Sequence, residues 1–182
     1  MWNSQVIVML LEGIRDTLYM TLASTLFGYI IGLPMGIVLT VTDKDGIRPN
    51  AAVYKVLDVI SNLLRSIPFI ILLIVLIPFT RFVVGRSYGS TATIVPLTIA
   101  AAPYIARMVE SSLKEVDAGV IEAARSMGAS DFQIVTKVML VEARTSLIVG
   151  ATISLGTILG YSAMAGTVGG GGLGDIAIRY GY

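Results

Sequence analysis

Few residues of this 182-residue chain could do covalent or acid–base chemistry, because it contains neither cysteine nor histidine. That absence excludes thiol chemistry, Cys/His metal sites and histidine acid–base catalysis. A membrane enzyme would have to rely on scattered carboxylates such as Asp58 and Glu110, and these form no convergent catalytic set. We therefore expect no catalytic residues, no metal site and no cofactor, and we interpret the polar residues as contacts for partners or solutes.

The most informative polar stretch is residues 122–143, EAARSMGASDFQIVTKVMLVEA, which lies between long apolar segments. Gly128 suits the left-handed backbone position that ends a helix. Ser130, with Gln133 three residues later, is typical of a capping box. We predict two short helices with a sharp break between them. They would form a rigid knob that projects from the membrane and that a soluble subunit could grip; the alternative is a solvated helical hairpin without a partner.

The elements that position this knob are predicted to be membrane-spanning helices. The mean hydropathy is +0.83, and charged residues make up 14% of the chain, against about 25% in soluble proteins. Four apolar segments are long enough to span a bilayer, and unsatisfied backbone groups in lipid force them to be helical. They cover about 17–42, 66–84, 87–106 and 145–167. We expect an all-α integral membrane protein with one domain over 1–182, in which residues 5–14 form an interfacial lead-in.

The charges of the connecting segments predict the orientation. The segments 43–55 and 107–144 carry eight Lys and Arg residues, and the segments on the other side carry four. By the positive-inside rule, the first two segments lie in the cytoplasm and both ends of this chain lie outside. The cytoplasmic coupling loop is then residues 107–144. The net charge of +1 gives no indication of a nucleic-acid partner.

Small residues mark one face of the first predicted span. Gly28, Gly32 and Gly36 recur at four-residue spacing, a pattern that lets membrane helices approach closely. Pro34 lies inside that face and is expected to kink the helix unless neighbouring helices compensate.

A second candidate site lies on the fourth predicted span, where Ser154, Thr157 and Tyr161 share one helix face and Met164 continues it. These residues either line a translocation path or bond and pack against neighbouring helices. In the first case Met164, flexible and apolar, could form a constriction that gates by excluding water.

Residues 169–174, GGGGLG, formally match the G-x-G-x-x-G fingerprint. The dinucleotide interpretation fails because that fingerprint requires a strand before it, and here a membrane span precedes it. We predict a flexible re-entrant or extracytoplasmic loop beside the translocation path, since irregular backbone at membrane depth needs protein or water around it.

The knob resembles the EAA loop of ABC-importer permeases, whose pattern is E-A-A, three residues, G, nine residues and I-x-L-P. Val138 stands at the isoleucine position, and Val141 replaces the proline, which predicts a less sharply broken end of the second helix. The residues that match, and to which the resemblance assigns coupling to an ATPase, are Glu122, Ala123, Ala124, Gly128 and Leu140.

Three further blocks, residues 65–81, 93–110 and 160–182, are similar to the permease of methionine-uptake ABC importers. This resemblance implies a type I importer permease fold in a bacterial cell membrane. It also implies an ABC ATPase subunit dimer that hydrolyses the ATP, a second permease copy, and an extracytoplasmic methionine-binding lipoprotein. The family has five spans, so a fifth span is expected beyond the four of this chain. The alternatives are a permease for another small solute, such as a polar amino acid, and a passive channel, which would need no docking knob.

Overall fold

The computed structural model describes residues 4–181, and every regular element in that part of the chain is a helix. The helices are α1 (Ser4–Thr42), α2 (Ala51–Ser66), α3 (Phe69–Val75), α4 (Ile77–Val84), α5 (Ser90–Lys114), α6 (Ala118–Ser126), α7 (Asp131–Gln133), α8 (Leu140–Glu142), α9 (Arg144–Ala165) and α10 (Gly172–Tyr180). A π-helical segment, Ile134–Met139, joins α7 to α8, and a 3-10 turn, Gly166–Val168, follows α9. The prediction of an all-α chain is confirmed.

Within the described part of the chain, three helices are long and apolar enough to cross a membrane: α1, α5, and α9 with its 3-10 extension. The pair α2 and α3, broken at Ile67 and Pro68, is a fourth candidate. The predicted fourth span agrees with α9 within two residues. Helix α5, which contains most of the predicted third span, 87–106, continues to Lys114 and so includes the first eight residues assigned to the coupling loop.

Residues 5–14, predicted as an interfacial lead-in, form the first part of α1, one helix of 39 residues that begins at Ser4 and passes through Pro34. At 1.5 Å per residue it is roughly 58 Å long, against about 30 Å for the hydrocarbon core. The helix therefore extends well beyond a bilayer core.

The second predicted span, 66–84, is wrong as a single helix. Pro68 caps α3, and Pro78 lies in the first turn of α4. Proline has no amide hydrogen and cannot continue the helical hydrogen bonds. The chain therefore turns at Leu76, and α4 starts afresh with the Thr80 amide donating to the Leu76 carbonyl over 2.8 Å.

The described residues group into two compact units. The first contains α1 up to Gly28, residues 67–101 with α3 and α4, and the chain from Ser154 onward. The second contains residues 29–66, with the end of α1 and α2, and residues 102–153, with the end of α5, α6 to α8 and the start of α9.

In the second unit, α1 and α5 are in close contact through the predicted glycine face. A Cβ atom added to Gly32 would lie 2.6 Å from the Ala102 carbonyl oxygen, and one added to Gly36 would lie 2.5 Å from the Ala106 carbonyl oxygen. Leu39 is fully buried beside them. The prediction of close helix packing is thus confirmed at Gly32 and Gly36.

In the first unit, the glycine run 169–174, predicted as a flexible re-entrant or extracytoplasmic loop, contains a turn that is held by hydrogen bonds to other segments. Gly169 and Gly171 have φ values of 77° and 80°. The Gly89 amide donates to the Gly169 carbonyl over 2.9 Å, and the Leu173 amide donates to the Thr17 hydroxyl over 2.9 Å. Helix α10 begins at Gly172, so half of the predicted loop is helical.

Candidate docking knob and pathway face

In the predicted stretch 122–143, the structure has two short helical arms separated by a glycine break: α6, and the run from α7 through the π-helical segment to α8. Because α6 begins before that stretch, with its cap at Asp117, the docking knob is defined from here on as residues 117–142. Asp117 caps α6 by accepting from the Gly119 amide over 2.7 Å. After α6 ends, Gly128 takes a φ of 83°, and the predicted left-handed conformation is confirmed. The predicted capping box is present as well: the Gln133 side chain accepts from the Ser130 amide over 2.9 Å, and Ser130 accepts in return from the Gln133 amide.

The second arm of the knob, residues 131–142, passes into α9 with little interruption. Its last helical residue is Glu142, only Ala143 is non-helical, and α9 begins at Arg144. This agrees with the weak helix end expected from Val141 in place of a proline. The second arm of the knob and α9 are therefore nearly continuous.

The five coupling residues predicted from the sequence differ in accessibility. Glu122, Ala123 and Gly128 are exposed. Ala124 is only 4% exposed and packs inside the knob, so its small size serves the internal packing of the knob. Leu140 is half-buried. Their role in coupling to an ATPase stays a prediction.

Sequence reasoning missed two apolar side chains at the tip of the knob. Met127 and Phe132 flank the glycine break and are 82% and 76% exposed. Both are large apolar groups left uncovered on a mostly polar element, and we interpret them as candidates for a contact with a partner protein. The signal that could have found them is their place directly on either side of the predicted turn.

A groove of about 400 Å³ lies between the end of α1 and the second arm of the knob. Its lining is mostly apolar and includes Pro34, Val41, Phe132 and Leu140. Phe132 is thus shared between the groove and the exposed tip. Leu140 therefore lines the groove and does not lie at the exposed tip of the knob.

The pathway face, Ser154, Thr157, Tyr161 and Met164 of α9, lies within the first unit and is not uniformly open. Ser154 is fully buried, and Thr157 and Tyr161 are half-buried. The Tyr161 ring stacks on Phe69 of α3, with 4.7 Å between ring centroids and 5° between planes. Sequence reasoning did not identify Phe69 as a partner.

Met164 differs from these residues because it is 45% exposed. The described contacts therefore favour packing for Ser154 and Tyr161, and they leave Met164 accessible to a second chain or to solute. A role for this face in translocation stays a prediction.

Comparison with known proteins identifies the family. The family model for the binding-protein-dependent transport system inner membrane component matches residues 17–180. The probable D-methionine transport system permease protein MetI of Vibrio cholerae is 48% identical over 174 residues, covering 96% of this chain and 77% of the relative. The D-methionine transport system permease protein MetI of Escherichia coli K12 is 55% identical over 158 residues, covering 87% of this chain and 73% of the relative.

Solved structures agree with the sequence relatives. A chain of the inward-facing MetNI methionine ABC transporter superposes with a TM-score of 0.97 at 53% identity, covering all of this chain and 84% of that one. An amino acid ABC transporter crystallised with histidines superposes with a TM-score of 0.75 at 21% identity, covering 98% of this chain and 82% of that one, which shows a shared fold. The predicted importer-permease fold is confirmed.

Proposed function

Because the chain belongs to the family of binding-protein-dependent transport system inner membrane components, we propose that it is the membrane-spanning permease of an ATP-driven importer for methionine. The observation that carries this proposal is the likeness to the methionine transporter chain over the full length of this one, at 53% identity. The curated relatives are named for D-methionine, so D-methionine is the first substrate to test, and L-methionine is the second.

The partners follow from the geometry of the knob and from the relatives. A dimer of ABC ATPase subunits would bind the docking knob through Met127 and Phe132 and hydrolyse the ATP, which this chain does not do itself. A second copy of the permease would complete the path through the bacterial cell membrane. An extracytoplasmic methionine-binding lipoprotein would deliver the substrate from outside. The apolar tip of the knob and the likeness to a chain of the MetNI methionine ABC transporter support the ATPase and the second permease copy. The family description, a binding-protein-dependent transport system, supports the binding protein.

The mechanism would convert ATPase closure into helix movement. The two arms of the knob are rigid because Gly128 and the capping box fix the turn between them. A rigid element at a subunit interface can switch between two positions as a body. Movement of the knob would shift the helices that continue from it, α5 before it and α9 after it, and so alternate access to a central path.

Competition in reconstituted vesicles tests the substrate. The permease, its ATPase and its binding protein are reconstituted with ATP on the ATPase side, and uptake of labelled D-methionine is measured with a tenfold excess of unlabelled amino acids. We expect uptake of labelled D-methionine, of labelled L-methionine in the same assay, or of both, with no competition by polar amino acids. Uptake of neither labelled isomer, together with uptake of a labelled polar amino acid, would replace methionine by another small solute as the substrate.

A further inference from the structure

Helix α2 has its polar side turned inward. Tyr54, Asp58 and Asn62 recur every four residues and lie against α5. On the other side of the same helix, Val56 is 59% exposed and Leu63 is 63% exposed. Val56 and Leu63 therefore take no part in holding α2 to α5, whereas the polar side chains Tyr54, Asp58 and Asn62 contact α5 directly.

The polar side chains of α5 that meet α2 form one ion network. Arg107 donates to the Asp58 carboxylate, to Asn62 over 3.1 Å and to Glu110 over 2.7 Å. Glu110 also accepts from Lys114 over 2.8 Å and from the Tyr54 hydroxyl over 3.3 Å. The Glu110 side chain is only 6% exposed and therefore lies at the centre of the network.

The same network reaches the docking knob through the segment after α1. Lys114 pairs with Asp43 over 2.6 Å, and its ammonium group holds the pKa of Asp43 below the usual value. Four residues further along, the Ile47 carbonyl accepts from Arg125 of the knob over 2.8 Å. Polar contacts, joined by the short stretch of chain between Asp43 and Ile47, thus connect the knob with the end of α5 and with α2.

Buried ion networks tolerate the loss of one member poorly. Removing one partner leaves the opposite charge unpaired, at a cost that is largest where that charge is desolvated. The Glu110 and Arg107 side chains are 6% and 17% exposed, whereas Lys114 is 41% exposed, so the pair of Glu110 and Arg107 is the buried centre of the network. Lys114 is also joined to the knob by the chain itself, since Asp117, the cap of α6, follows three residues later.

We propose that Glu110 is a positioning residue that fastens α2 to the docking knob, so that α2 and the knob move as one body when the ATPase subunits close. This inference rests on the proposed function for its transport consequence. Its mechanical part, a fixed spacing between α2 and the knob, can be measured without transport.

The first measurement is a distance distribution. The chain contains no cysteine, so cysteines introduced at the exposed positions Val56 and Ser126 can be spin-labelled alone. The labelled permease is diluted with unlabelled copies in the assembled complex. We expect one narrow distance distribution that Glu110→Gln broadens. Glu115→Gln is the matched control, because Glu115 is exposed and forms no ion pair among residues 4–181. An unchanged distribution in Glu110→Gln would overturn the proposal.

The second measurement is the amount of methionine taken up per ATP hydrolysed. We expect Glu110→Gln and Lys114→Met each to lower this ratio by about 3- to 10-fold while the ATPase still co-purifies. Lys114→Arg should restore the ratio, since it keeps the charge between Asp43 and Glu110. A lower yield of complex with an unchanged ratio would assign the network a purely structural role and contradict the proposal. If the wild-type complex takes up no methionine, the proposed function fails, and the distance measurement alone decides this inference.

Discussion

The left-handed backbone conformation of Gly128 determines how strongly substitutions at this position should strain the docking knob. Its φ of 83° lies in the left-handed region, and a Cβ atom built there meets no other atom within 4 Å. A side chain at this position therefore causes backbone strain without a clash. That strain is about 1–2 kcal/mol for alanine and larger for a β-branched residue, whereas asparagine tolerates the conformation.

If the ATPase binds only the knob with this turn intact, the strain appears as weaker binding. A loss of 1–2 kcal/mol corresponds to about 5- to 30-fold in the dissociation constant. We expect Gly128→Ala to weaken binding by that factor, Gly128→Val to weaken it more, and Gly128→Asn to bind nearly as the wild type does. The assay is titration of the purified ATPase subunit against each permease variant in nanodiscs, after membrane insertion has been verified.

Two results would refute this reasoning. Normal ATPase binding by Gly128→Val would show that the turn does not matter for docking. Equal weakening by asparagine and valine would show that the exposed position is blocked by any side chain, because strain distinguishes these two residues and steric hindrance does not.

Three further predictions concern packing, orientation and the pathway face. Gly36→Ala places a Cβ atom against the Ala106 carbonyl, so thermal unfolding of the purified permease should show a loss of about 1–3 kcal/mol; the control Gly156→Ala, which meets nothing within 4 Å, should show none. A cysteine replacing Asp45 should react with an impermeant label only after the membrane is opened, whereas one replacing Ser87 should react from outside; the reverse pattern would invert the topology. Met164→Trp should block methionine uptake, and cysteines at this position in two subunits should crosslink; normal uptake without crosslinks would mean that Met164 only packs between helices.

The docking knob could be predicted from the sequence because its signals are local. The conformations of Gly128 and the Ser130–Gln133 pair depend on a few neighbouring residues, and the structure has both as expected. The close approach of Gly32 and Gly36 to α5 was predictable for a related reason, since only small residues at regular spacing leave room for another backbone.

The division of the second predicted span into two helices could not be predicted, because hydropathy does not show where a helix breaks. Residues 66–84 are almost uniformly apolar, yet Pro68 and Pro78 divide them. The proline in α1 leaves its helix continuous. Which proline ends a helix depends on the packing around it, and that information is not in the local sequence.

The ion network around Glu110 was also beyond sequence reasoning. Asp58 and Glu110 are 52 positions apart, and as isolated carboxylates they indicated nothing specific. Only the packing of α2 on α5 brings both to Arg107. The burial of Ala124 could not be predicted either, because it depends on how the two arms of the knob pack.

The proposal that this chain is the permease of an ATP-driven methionine importer is best tested by measuring whether methionine accumulates against its own gradient. Vesicles that contain the permease, its ATPase and its binding protein are loaded with ATP on the ATPase side or with a non-hydrolysable analogue, and labelled D- or L-methionine is added at equal concentration on both sides. If the complex is an ATP-driven importer, the concentration of methionine on the ATPase side should rise above that on the opposite side with ATP, and it should not rise with the analogue. Equal concentrations on both sides under both conditions would contradict it and indicate passive flux or no transport.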